Sequence, residues 1–122
     1  MDRLEQMIDA ISVIRCSAVS GEMELHQQVI DALRAAGFDP QHEVRLGPRC
    51  RIDVMCGDVG VEIKKSRPQP APLRRQLERY AAFDAIGEML VIAPRGVNLP
   101  AKIGGKRVRM LALERLWGIW LP

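Results

Sequence analysis

Apolar residues recur at helical spacing from the start of the chain. Leu4, Met7, Ile8, Ile11 and Ile14 share one face, which predicts an amphipathic helix over residues 2–15. Residues 17–21 interrupt it. A second stripe, Leu25, Val29, Leu33 and Ala36, predicts another helix. Ser20 suits its N-cap, and Glu22 falls in the first turn, where an acid complements the helix dipole. Gly37 suits the C′ position, with Pro40 beyond it. The period then drops to two. Residues 42–46 alternate as a first strand, and residues 50–56 and 59–65 form two more, joined at Gly57-Asp58 as a hairpin. Prolines 68, 70 and 72 predict an extended link into a third helix over residues 73–86. Strands follow at residues 88–93 and, after Gly104-Gly105, at 106–113; a short apolar turn runs from Glu114 to Trp120. The order predicts a mixed α/β domain with α+β character, and 122 residues predict a single domain over the whole chain.

Composition narrows the class. Apolar residues make up 48% of the chain, which fits an ordinary globular protein and argues against disorder. No run approaches the length that crosses a bilayer, so no membrane role is expected. Cys16, Cys50 and Cys56 are odd in number and match no zinc spacing, and Met1 to Glu5 lacks the basic start of a signal peptide. Reduced thiols in a cytoplasmic protein are therefore expected. The net charge of +3 is unevenly spread: residues 1–43 hold three basic and eight acidic side chains, residues 44–122 fifteen basic and seven acidic. Such a separation favours one face for a polyanion.

The chemistry concentrates in the hairpin. With Gly57-Asp58 as a two-residue loop, Cys56 faces Val59, Val54 faces Val61 and Asp53 faces Glu62. Alternation then predicts one apolar face of Ile52, Val54, Val61 and Ile63, and one polar face of Arg51, Asp53, Glu62 and Lys64. Two carboxylates directly across a ladder repel each other. A divalent cation turns that repulsion into ligation, because hard metals take carboxylate oxygens. Lys64, two residues after Glu62, is placed to orient a water or to stabilise charge developing on a phosphate. The bland alternative is a solvated hairpin face with ordinary surface ion pairs.

Asp53, then eight residues, then Glu62-Ile63-Lys64 resembles the motif of the PD-(D/E)xK, or restriction-endonuclease-like, nuclease superfamily, which includes Holliday-junction resolvases. Ile52 stands where the motif name has proline. Gln76 and Tyr80, four apart on the third helix, match the Gln-x-x-x-Tyr pattern of several branches. Glu22 best matches the acid that the family often carries on the preceding helix, with Glu24 as competitor. The resemblance implies a restriction-endonuclease-like core: a central mixed sheet of four to five strands flanked by helices. It also implies a Mg²⁺- or Mn²⁺-dependent nuclease acting on DNA. Asp53, Glu62 and the Ile63 carbonyl would hold the metal, with Glu22, Lys64, Gln76 and Tyr80 completing the catalytic set. Lys65, Arg67, Arg74, Arg75 and Arg79 follow the lysine and would contact phosphates. A non-catalytic nucleic-acid-binding domain with the same fold is the alternative. His26 and His42 have no partner spacing and read as structural. Trp117 and Trp120 would cap the core or build a homodimer contact.

Overall fold

A computed structural model describes residues 1–14 and 22–114. Helix α1 (Arg3–Ile11) is capped by Asp2, whose carboxylate accepts from the Glu5 N–H at 2.9 Å. It is shorter than the 2–15 expected from its apolar stripe, although Ile14 is still buried against the same core. Helix α2 (Glu22–Ala35) ends as its glycine predicts. Gly37 has φ +94°, its N–H donates to the Arg34 carbonyl, and the Phe38 N–H donates to the Leu33 carbonyl. That pair of bonds is a Schellman closure. The expected cap Ser20 and the residues Cys16, Trp117 and Trp120 lie outside the described residues, as does the Glu22 side chain.

The strands are β1 (Gln41–Gly47), β2 (Cys50–Cys56), β3 (Val59–Ile63), β4 (Glu88–Ala93), β5 (Lys102–Ile103) and β6 (Lys106–Ala112). They form one mixed sheet of six strands in the order β1-β2-β3-β4-β6-β5. Pairs β1–β2, β2–β3 and β5–β6 are antiparallel, whereas β3–β4 and β4–β6 are parallel. The four to five strands expected become six because two-residue β5 is too short to leave a periodic signal. Gly104 and Gly105, at φ +59° and +79°, turn it into β6.

Helix α3 (Pro70–Ala81) corrects the third-helix boundaries of 73–86. Pro70 and Pro72 do not delay the helix. They sit in its first turn, where N–H groups have no intrahelical acceptor and the fixed proline φ is already helical. The Leu73 N–H makes the opening bond to the Gln69 carbonyl.

Helices α1 and α2 cover one face of the sheet. Leu4, Met7, Leu25, Val29 and Leu33 pack there on Val54, Val61, Leu90 and Ile92. Helix α3 covers the other, with Leu73, Leu77 and Tyr80 on Ile52, Met89, Val91 and Val108. Strand β4 is therefore apolar on both faces, as an interior strand of a covered sheet must be, and β3 is buried along its whole length.

The hairpin departs from simple alternation at one point. Ile52 and Val54, expected on one face, belong to opposite cores. The break lies at Asp53. On β1 the residue between the pairs His42↔Val54 and Val44↔Ile52 is Glu43, which has φ +54°. Both strands thus change face at the same level without a shift of register. Gly60 makes room beneath: a Cβ there would meet Ile52 Cδ1 at 2.6 Å and Ile86 Cδ1 at 2.7 Å.

Candidate functional site

The expected hairpin register is present: Cys56 pairs with Val59 and Val54 with Val61. The regular ladder ends there. The expected direct pairing of Asp53 with Glu62 is replaced by a side-chain bond, in which Asp53 Oδ2 accepts from the Ile63 N–H at 2.7 Å. A carboxylate thus occupies the acceptor position that a strand neighbour would otherwise fill. On its other edge β3 stays paired, and the Lys64 N–H donates to the Ile92 carbonyl at 2.8 Å. The backbone around Lys64 is thereby fixed at the C-terminal end of β3, the end at which open α/β sheets bind ligands.

Glu62 follows from alternation. Val61 and Ile63 enter the α1/α2 core, so the side chain between them turns toward α3. It is buried, unlike an acid on the solvated hairpin face of the bland alternative. Tyr80 Oη lies 2.9 Å from Glu62 Oε1 and 3.1 Å from the Arg51 carbonyl, and its one proton is shared between them. Gln76 Nε2 donates to Glu62 Oε2 at 3.2 Å and to Tyr80 Oη at 3.0 Å. Lys64 Nζ stands 3.2 Å from Glu62 Oε2. Gln76 and Tyr80, one turn apart on α3 and on the shared face that their spacing predicts, therefore meet the glutamate together. Burial pushes the Glu62 carboxyl above the usual carboxylate range, and the neighbouring Asp53 charge adds to the rise; Lys64 and Tyr80 oppose it. Burial, and then Glu62, likewise push the Tyr80 phenol well above its ordinary value.

Exposure grades across the site. Glu62 keeps 7% of its side-chain surface, Asp53 23% and Lys64 30%, so a solute meets the aspartate and the lysine first. Lone pairs remain for a cation. An ionised carboxylate offers about four acceptor positions; Glu62 uses three and Asp53 one. Among the described residues no three His, Cys, Asp or Glu side chains gather as a metal group. Two carboxylates still suffice for Mg²⁺ or Mn²⁺ when backbone oxygen, water and substrate complete the shell. Asp53 and Glu62 are two such carboxylates, each with acceptor positions unused.

His26 was not anticipated as part of the site. It is 6% exposed on α2, and its Nε2 is buried without a hydrogen-bond partner, 3.8 Å from Asp53 Oδ2. Its Nδ1 lies 3.1 Å from His42 Nε2. The available signal was its place in an apolar stripe: Val29, Ile30 and Leu33 follow at three, four and seven residues. Glu24 is exposed on the same helix. Lys65, Arg67, Arg74, Arg75 and Arg79 are all exposed. Arg79 is near enough to Cys50 to act against the burial that raises that thiol's pKa. None of the described helices is long and apolar enough to cross a membrane. Comparison with protein-family models, with curated proteins and with solved structures finds no match for this chain.

Proposed function

We propose that this protein is a metal-dependent phosphodiesterase acting on nucleic acid, most readily DNA, with a core of the restriction-endonuclease-like kind. The observation that carries the reading is the buried Glu62, held by Tyr80, Gln76 and Lys64 and accompanied by Asp53 where β2 and β3 part. An ordinary core places no carboxylate at such a position unless it is paired or bound to a metal. Asp53, Glu62 and the Ile63 carbonyl would hold Mg²⁺ or Mn²⁺. A bound ion of this class lowers the pKa of its water and polarises a phosphate. Gln76 and Tyr80 orient the Glu62 carboxylate. Lys64, the most exposed of the three charged groups, holds the attacking water or the phosphate oxygen. Lys65, Arg67, Arg74, Arg75 and Arg79 supply backbone contacts, which set affinity and position rather than sequence choice.

The rival reading is a nucleic-acid-binding domain without catalysis. It is favoured by the fact that both Glu62 oxygens already accept bonds from the protein. Branched, duplex and single-stranded DNA, each incubated with and without Mg²⁺ or Mn²⁺, separate the two. The nuclease reading expects cleavage that needs the cation and falls on the order of 10²-fold or more in Lys64→Ala and Glu62→Gln. DNA binding without cleavage by the native protein under any of these conditions establishes the rival.

A further inference from the structure

The His26–His42 pair is built in a way the core does not require. His26 lies in the apolar layer of α2, yet only one of its ring nitrogens is satisfied. The two rings meet edge to face, at 71° with centroids 5.3 Å apart, and their close contact is Nδ1 of His26 with Nε2 of His42. Two neutral imidazoles can share that contact only if one donates and the other accepts. The choice fixes the far nitrogen of His26. If His42 donates, His26 carries its proton on Nε2. That proton would be a buried donor, 3.8 Å from an Asp53 oxygen that it fails to reach. If His26 donates from Nδ1, its Nε2 is a lone pair 3.8 Å from Asp53 Oδ2, a separation that a cation could bridge. The second arrangement leaves no buried donor without an acceptor.

His42 reaches this position through the hairpin break. It pairs with Val54, on the α2 side of the sheet, whereas Val44, two residues on, packs on the α3 side. The intervening Glu43 at φ +54° makes the change of face. A non-glycine residue held in that region is an uncommon conformation that the surrounding structure must enforce. Here it brings an edge-strand imidazole, itself still exposed, into contact with a buried one.

We propose that His42 is a positioning residue of the Asp53–Glu62 site: it accepts the Nδ1 proton of His26 and so keeps the Nε2 lone pair of that imidazole turned toward Asp53, as a nitrogen donor for a divalent cation. The proposal rests on the cation-dependent reading above. Partners of this kind fix the tautomer and orientation of a ligating histidine, and their loss typically weakens metal affinity 10- to 100-fold.

Two measurements test it. The first is long-range ¹H–¹⁵N correlation of the histidine rings in the native protein at neutral pH without metal. His26 should be protonated on Nδ1 and bare on Nε2; the Nε2–H tautomer overturns the proposal whatever the variants do. The second is calorimetric titration with Mn²⁺ of the native protein, His42→Phe and His42→Gln. His42→Phe should bind Mn²⁺ about 10- to 100-fold more weakly. His42→Gln, which offers an amide oxygen near the place of Nε2, should recover most of the affinity. A merely space-filling His42 would give the opposite order, with Phe the better replacement. Equal Mn²⁺ affinity in the native protein and His42→Phe overturns this proposal alone. A native protein that takes up no Mn²⁺ overturns both this proposal and the function on which it rests.

Discussion

Replacing Asp53 separates its structural bond from its charge. In Asp53→Ala the Ile63 N–H loses its acceptor. A hydrogen bond to a charged group contributes about 1.5–3 kcal/mol. Removing the charge also relieves its repulsion of Glu62, which adds to the burial that raises the Glu62 carboxyl. Like-charged neighbours across a sheet cost roughly 0.2–1 kcal/mol. The alanine variant should therefore lose about 1–2.5 kcal/mol without metal. Asp53→Asn keeps an oxygen acceptor. A neutral bond is roughly half as strong as a charged one, so a loss near 1 kcal/mol is nearly cancelled by the relief. The expected order without metal is native, close to asparagine, with alanine clearly below. Urea denaturation followed by circular dichroism resolves this, because the alanine deficit should move the midpoint by roughly 1 M. Added Mg²⁺ or Mn²⁺ at about 100 times its Kd should raise native stability by about 2.7 kcal/mol, and that rise should vanish in both variants. An alanine variant as stable as the native protein would refute the structural role of the Asp53–Ile63 bond. A metal-induced rise that survives in Asp53→Asn would place the cation elsewhere.

Three further outcomes are expected. Arg74→Ala with Arg75→Ala should lower the slope of log affinity against log salt by about one per lost phosphate contact, measured by fluorescence anisotropy on labelled DNA; an unchanged slope removes those arginines from the interface. The Cys56 thiol, pushed up by burial from 9.0 to about 11, stays protonated longer in the folded protein than in the unfolded chain. Its contribution to stability is complete below about pH 9 and is lost as the pH rises through about 11. The fall in urea midpoint between about pH 8 and pH 10.5 should accordingly be smaller in Cys56→Ala, and an identical fall would contradict the assigned burial effect. Gly60→Ala should cost about 1–3 kcal/mol, because the added methyl overlaps Ile52 and Ile86; an unchanged melting temperature would show that those side chains yield freely.

The sequence carried the hairpin register and the Gln76–Tyr80 pair because both depend on short-range periodicity. The same local logic misjudged the start of α3, since Pro70 and Pro72 break a helix only where an N–H is needed. It also sorted Ile52 with Val54, because alternation has no memory of a partner strand. The break is set by Glu43 on β1, ten residues away from Asp53, and nothing in the local pattern marks a glutamate for positive φ. The burial of Glu62 was hidden for a related reason: alternation tells which side of a strand a residue takes, not whether a helix covers that side. His26 remained hidden because its partners, His42 and Asp53, are distant in sequence.

The break at Glu43 also governs what the free edge of the sheet can accept. Strand β1 is an outer strand of seven residues, long enough to template a neighbouring chain. Glu43 stands at φ +54° in its first half, and its pairing with β2 shifts again between Arg45 and Gly47. An incoming strand would find no straight row of amide and carbonyl groups, and it would meet Glu43 and Arg45 along the way. The opposite edge is β5, only two residues long. Among the described residues the long β1 border is thus a poor template for strand addition, and a second copy of this chain gains little by extending the sheet there.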